Sequence, residues 1–323
     1  MRVRIGVFAV ACLGCATARP GVRDDPSSAA SAAVAPFRVI DVMPRFWAFW
    51  EAANPPGAAP IDSAARQALF RAMVLRPESL LYAGAGGSGE ANVAAFLARV
   101  GTDVTAMRVL TARLASELPR YGQAFADSFP DFAERGAVYI YPSIYNRNGG
   151  VFEVSNQRVL GFGVDMIARL GGTTANLRVL VSHELFHLYH YQRRPEFAGR
   201  LALWGQLWRE GLATYVSERL TPRATEAEVL SDSTLSRAVL DVLPTLIGDV
   251  RAHFDDTSRV ATQPYMQSRR VRADIPPRAG YYVGYRIARR LGEGQPLASL
   301  ARWGGDSLRA KVLAALDEMA RQR

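Results

Sequence analysis

The sequence predicts an α+β protein, mostly helical, with one small and mostly antiparallel sheet near its middle. Three observations lead there. Apolar residues recur at helical spacing through most of the chain on both sides of residues 137–164. Between those stretches lie three short runs rich in β-branched and aromatic residues, separated by turn signals. Of 323 residues, 49% are hydrophobic and 21% charged, the balance of a chain that buries a core and not of a disordered one.

The first element is not part of the expected fold. Arg2 and Arg4 precede an apolar run from Ile5 to Leu13 that is too short to span a bilayer, and small residues follow it. That is the pattern of an export signal over residues 1–18. Leu13-Gly14-Cys15-Ala16 resembles the end of a bacterial lipoprotein signal with Cys15 lipidated, although Cys12 stands where such signals prefer leucine. Ala16-Thr17-Ala18 fits ordinary signal-peptidase cleavage instead. Both readings predict an exported chain, either an envelope lipoprotein or a periplasmic or secreted protein. A membrane enters only through a lipid on Cys15. Residues 19–36, rich in Ala, Ser and Pro, read as a flexible tether, and 37–323 as the folded domain.

Within that domain, Asp41 to Ala53 predicts a helix with a heavy aromatic face (Phe46, Trp47, Phe49, Trp50) packed in the core. Further helices are expected over 63–76, 91–99 and 104–127, the last broken or kinked at Pro119. Ala137–Tyr141, Val151–Val154 and Val159–Val164 read as a three-stranded meander, with Asn148-Gly149 in the turn between the first two because both residues tolerate positive φ. Beyond about Asn176 the chain again reads helical, with loops near 221–231 and 256–279.

Charge and rare residues exclude several function classes. The formal charge of +9 comes from 39 basic residues, of which Lys311 is the single lysine. An arginine usage so lopsided reflects codon composition more than polyanion binding, and no nucleic-acid partner is expected. Two cysteines cannot build a disulfide framework or a cysteine zinc cluster. Gly84-Ala-Gly86-Gly-Ser-Gly89 matches the glycine pattern of dinucleotide sites, and Asp103 follows at a suitable distance. However, the apolar run before it is at most a few residues long, and no alternating βαβ units follow. A loop is the better reading, and no organic cofactor is expected.

Three of the four histidines fall within eight residues, in Ser182-His183-Glu184-Leu185-Phe186-His187-Leu188-Tyr189-His190. The segment Asn176 to Arg193 lacks Gly and Pro, so His183 and His187 share one face of a helix, one turn apart. Two imidazoles so placed reach one tetrahedral zinc at about 2.0–2.1 Å. Glu184 sits beside the metal, where a carboxylate can take a proton from water and return it to a leaving amine. The extended pattern HExxHxxGxxH needs glycine at 190 and histidine at 193, and His190 and Arg193 stand there instead. His190 lies seven residues past His183, about 10 Å along the axis. It is expected to support or pack rather than bind metal.

The third ligand is expected to be Glu210, in Leu207-Trp208-Arg209-Glu210-Gly211-Leu212-Ala213-Thr214-Tyr215. The 23 residues after His187 allow the first helix to end near Pro195 and a second to come alongside it. Gly211 is expected to free space where that second helix approaches the metal. His253 is isolated and reads as structural.

HELFH followed by WREGLATYVS resembles the gluzincin metallopeptidases. With FWAFWEAA, the glycine-rich hairpin region and Ala279-Gly-Tyr-Tyr-Val-Gly-Tyr-Arg-Ile287, the chain also resembles a bacterial family of predicted, largely uncharacterised zinc proteases. The resemblance implies a gluzincin-like catalytic domain with its sheet beside the zinc helix, a single Zn2+, and hydrolysis of peptide or protein substrates by metal-activated water. It implies His183, His187 and Glu210 as ligands and Glu184 as general base. It also implies a later tyrosine as oxyanion donor, with Tyr281 first and Tyr282 and Tyr285 as alternatives. The segment Val159–Val164 would be the strand edge that pairs with substrate. Thr214 stands where thermolysin-like members carry an Asp that orients a histidine, so another partner is needed here. The aminopeptidase signature Gly-x-Met-Glu-Asn is missing. The alternative reading is a non-catalytic exported lipoprotein with a structural zinc site or no metal.

Overall fold

Local sequence accounts for most helices of the computed structural model, which describes residues 37–321 apart from 58, 60 and 133–135. The expected export signal, Cys12, Cys15 and the tether lie outside the described residues. A first strand, β1 (Arg38–Asp41), leads into α1 (Met43–Ala53), α2 (Ser63–Phe70), α3 (Ser79–Ala85), α4 (Glu90–Arg99) and α5 (Val104–Ser128). Strands β2 (Ala137–Tyr141), β3 (Gly149–Val154) and β4 (Gln157–Gly163) follow. The helical half then runs through α6 (Val164–Gly171), α7 (Leu177–Arg193) and α8 (Leu203–Leu220) to α9 (Glu226–Val229), α10 (Leu235–Leu240), α11 (Leu243–Ala252) and α12 (Arg259–Met266). It closes with α13 (Ala279–Gly292), α14 (Leu297–Leu300) and α15 (Gly305–Arg321). The fold is α+β and mostly helical. Short helices α9 and α12 interrupt the two expected loops, and none of the described helices is long and apolar enough to cross a membrane.

Four departures from the sequence expectations have physical causes. The sheet has the order β1-β2-β4-β3 and is mixed, not mostly antiparallel. Strands β1 and β2 pair parallel across the five-helix crossover, β2 and β4 pair parallel, and only β3 and β4 run antiparallel. The hairpin turn is Ser155-Asn156, at φ 50° and 61°, the two left-handed residues that a tight hairpin requires. Asn148-Gly149 instead opens β3. Helix α5 is not broken at Pro119, which lies on the exposed face with Ala115 one turn before it, so the carbonyl that loses its amide partner is open to solvent. Finally, β4 is an interior strand bonded on both sides. It cannot offer the free edge expected of Val159–Val164, and the edge on the α7 side belongs to β3.

The loop between β2 and β3 is what carries β3 to the outside. Ile144 and Tyr145 take positive φ, 61° and 52°, which only a strong local anchor sustains in such residues. Asp165, fully buried at the start of α6, is that anchor. Its two oxygens accept the amides of Ser143 at 2.6 Å and Tyr145 at 2.5 Å. Burial outweighs these bonds and pushes its carboxyl up to about 6. Tyr145 is tied further by its hydroxyl to Asp103, the acid that follows the glycine pattern.

One continuous core runs from α1 to α15. Its aromatic start is as expected: Phe46 and Phe49 are fully buried and pack on Phe96 and Phe70. Gly84 lies within α3, where a Cβ would fall 1.8 Å from the carbonyl oxygen of Glu153, so α3 rests directly on the outer edge of β3. The same logic governs α8 and α13. A Cβ on Gly211 would fall 2.1 Å from the carbonyl of Gly284, and one on Gly284 2.1 Å from that of Leu207. Gly211 thus makes room for α13, not for the metal as the sequence suggested.

Gly211→Ala is expected to destabilise the protein by about 3 kcal/mol, because two backbones must separate. Gly248→Ala in α11, where a Cβ meets nothing within 4 Å, is expected to stabilise by about 0.5–1 kcal/mol. Urea unfolding of both variants checks the pair.

Candidate metal centre

Helix α7 begins at Asn176, whose side chain accepts the Val179 amide at 3.3 Å. His183 and His187 follow one turn apart, with Nε2 atoms 3.1 Å from each other and rings crossed at 83°. Helix α8 brings Glu210 alongside, its Oε2 3.2 Å from His187 Nε2 and 3.6 Å from His183 Nε2. These three residues form a group able to hold a metal ion. A tetrahedron with metal–ligand bonds of about 2.05 Å has edges of about 3.3 Å. The three separations bracket that edge, so the residues fit one zinc without rearrangement.

Electrostatics favour the ligand form of Glu210. Burial alone would raise its carboxyl, but His187 and Arg209 beside it, with hydrogen bonds to both histidines, hold it well below the usual range. Arg209 does more than supply charge. Its Nε donates to Glu210 Oε1 at 2.8 Å, while Oε2 faces the histidines. One oxygen is thereby taken by the guanidinium and the other left facing the two imidazole nitrogens. Sequence reasoning missed this residue, although a cation immediately before the ligand in WREG was the available signal.

The other histidines have no such place. His190 is fully buried, stacked on Phe197 at 4.5 Å and beside Phe186 at 5.4 Å, and neither ring nitrogen has a hydrogen-bond partner among the described residues. It packs. Burial, helped by His187 and Arg209, drops its pKa to about 3. His253 Nδ1 pairs with Asp256 at 2.8 Å, a local contact. Thr214 does not orient a histidine, since its hydroxyl donates to the Glu210 carbonyl at 2.8 Å. The His187 ring instead stacks on Tyr191 at 5.8 Å.

A cavity of about 330 Å³ opens on the site, lined by Asn146, Arg147, His183, Glu184, Thr214 and Tyr281 among others. Glu184 is buried at its wall. A Cβ on Gly149 would fall 2.7 Å from Glu184 Cγ, so the edge strand lies directly on this carboxylate because it begins with glycine. Of the three tyrosines, only Tyr281 lines the cavity. The Tyr282 hydroxyl accepts from Arg286 at 2.9 Å, and the Tyr285 hydroxyl donates to Glu218 at 2.8 Å. Burial, and then Glu210, push the Tyr281 hydroxyl well above its ordinary pKa, so it remains a donor. Arg278 lies over its ring at 4.5 Å and donates to the Leu230 carbonyl at 2.8 Å.

Residues 167–301 match the model of a family described as "Predicted Zn-dependent protease (DUF2268)". That span holds His183, Glu184, His187, Glu210 and Tyr281 and leaves out the sheet. No curated protein and no solved structure matches the chain.

Arg209→Ala is expected to weaken zinc binding about 10–100-fold, with part of the affinity restored in Arg209→Lys, measured by competition with a chelator. His190→Phe tests the buried imidazole. Its folded pKa lies below the unfolded value, so wild-type stability is lost as pH falls from about 6.5 toward 3. By pH 5 the cost is about 2 kcal/mol. Urea unfolding of the metal-free proteins is expected to show that loss in the wild type and not in the variant.

Proposed function

We propose that the protein is a zinc-dependent peptidase in which Glu184 is the general base and Tyr281 the oxyanion donor. The observation that carries this reading is the spacing of His183, His187 and Glu210 along the edges of a zinc tetrahedron, beside a cavity that a buried carboxylate also lines. A closed structural zinc site would surround its ion with protein, and the open cavity favours catalysis over that alternative. Zinc held by these three residues would supply Lewis acidity, polarising a carbonyl and making water more acidic.

The chain's own groups do the rest. Glu184 removes a proton as the water oxygen bonds to the carbonyl carbon. It delivers that proton to the amide nitrogen as the carbon–nitrogen bond breaks. The Tyr281 hydroxyl donates to the carbonyl oxygen as negative charge develops there. The substrate backbone lies along the edge of β3. The two-residue hairpin makes Val154 and Gln157 a hydrogen-bonded pair, so alternation turns the backbone groups of Glu153, Val151 and Gly149 outward. Helix α3 covers Glu153, and the Gly149 amide donates to Asn148 Oδ1 at 2.9 Å, which leaves the backbone groups of Val151 and the Gly149 carbonyl for the peptide. In this reading the enzyme works after export, either tethered by a lipid on Cys15 or free.

Glu184→Gln is expected to bind zinc at the wild-type stoichiometry while peptide cleavage falls about 10²–10⁴-fold. Metal analysis together with a broad peptide library checks both halves, and retained full activity would sink the mechanism.

A further inference from the structure

A second cavity, of about 460 Å³, is walled by the start of α8, the loop before it and one face of α12. Helix α12 contributes Arg259, Thr262, Gln263 and Met266, whose spacing of three, four and seven residues puts them on one side of the helix. Helix α8 contributes Gln206 and Arg209, and the loop Arg200 and Leu201. The volume falls in the range that small organic ligands occupy, about 300–1,000 Å³.

The charge of this lining is one-sided. Arg200, Arg209 and Arg259 line it, and no Asp or Glu does. Arg200 engages only its Nε, which donates to the Thr257 carbonyl at 2.9 Å. The Arg259 guanidinium has no hydrogen-bond or carboxylate partner among the described residues. Another arginine-lined cavity, at the ends of α8 and α13, shows the contrast. There Glu218 and Glu293 share the lining, and Arg289 and Arg290 already pair with Glu218 and Glu318. Like charges around one hollow without counter-charges repel, and an anion relieves them. A guanidinium suits that task, because its planar fork offers parallel N–H groups to a carboxylate or phosphate.

Arg209 ties this cavity to the metal centre. Its Nε donates to Glu210 Oε1 at 2.8 Å and one terminal nitrogen reaches the Phe197 carbonyl at 3.4 Å. The other terminal nitrogen has no partner among the described residues, and the side chain keeps 21% of its surface exposed. One guanidinium thus holds a metal-ligand carboxylate and lines the arginine cavity. An anion on its outer nitrogen offsets part of the positive charge that Glu210 feels, so the carboxylate is freer to donate to a metal. The anion is also attracted by a divalent ion held at His183, His187 and Glu210. Both effects have the same sign, and linkage makes them reciprocal.

We propose that this cavity binds a small organic anion with two or more acid groups, carboxylate or phosphate, and that its occupancy tightens metal binding through Arg209. Neither the anion site nor its link to Glu210 depends on peptidase activity.

The test uses the purified full chain, metal-free and zinc-loaded, at constant ionic strength. Sulfate, as the tetrahedral oxyanion, and succinate, as the dicarboxylate, are titrated calorimetrically. At least one is expected to bind the metal-free protein with Kd below about 1 mM, and the tighter of the two identifies the acid group. Arg200→Ala and Arg259→Ala, both at exposed positions, are each expected to weaken that binding about tenfold. Arg219→Ala, in the other arginine-lined cavity, is expected to leave it unchanged. For the coupling, the zinc Kd is measured by competition with a chelator. Saturating anion is expected to lower it about three- to tenfold in the wild type and to have no such effect in Arg259→Ala, which also controls for zinc taken up by the anion in solution. No saturable binding of either anion, or binding indifferent to both arginine substitutions, overturns the site. Binding that leaves the zinc Kd unchanged or raises it overturns the coupling.

Discussion

Two imidazole nitrogens and a carboxylate oxygen lie within 3.6 Å of one another in a largely buried site. Such a cluster is stable only with positive charge at its centre or at its back. Arg209 supplies the second, and the spacing suits a zinc ion for the first. Much else in the helical half serves this arrangement. The α7 helix needs an uninterrupted ladder to stack its histidines. The α8 helix must lie beside it so that Glu210 arrives at the same point, and Gly211 and Gly284 let α13 press against α8 close enough for Tyr281 to reach the cavity.

On the other side of the cavity the sheet is shaped by a second buried carboxylate. Asp165 clamps a strained loop, and the loop delivers Asn146, Arg147 and Asn148 to the cavity and Gly149 to the face of Glu184. An ionised group with its pKa pushed up to about 6 is a poor stabiliser. What it holds is geometry: without those two hydrogen bonds, residues 144 and 145 would relax out of the left-handed region, and β3 would have no reason to lie over Glu184.

The legible and illegible parts divide along clear lines. His183 and His187 were legible because helical periodicity places i and i+4 on one face whatever surrounds them. Glu210 was legible less directly, from its distance along the chain and its Trp-x-Glu-Gly setting. The aromatic face of α1 and the helical texture of both halves follow from apolar spacing. The sheet was misread because local preference ranks Asn148-Gly149 above Ser155-Asn156 as a hairpin turn, and the tertiary pairing took the weaker signal. Partner choice among strands depends on a crossover of five helices and on Asp165, and neither leaves a local trace.

The sequence by itself determined the candidate ligand set: a helix with two histidines one turn apart and a carboxylate between them, a second carboxylate at the right remove, and no other cluster of ligands among so few His and Cys. Periodicity and residue type are local properties, so they survive without a fold. Only the tertiary structure decided which tyrosine faces the cavity, that Arg209 holds the free oxygen of Glu210, that Gly211 serves a helix crossing, and which strand edge lies beside Glu184. Each of these is a contact between residues far apart in the chain or a direction in space. Spacing along one strand of sequence carries neither.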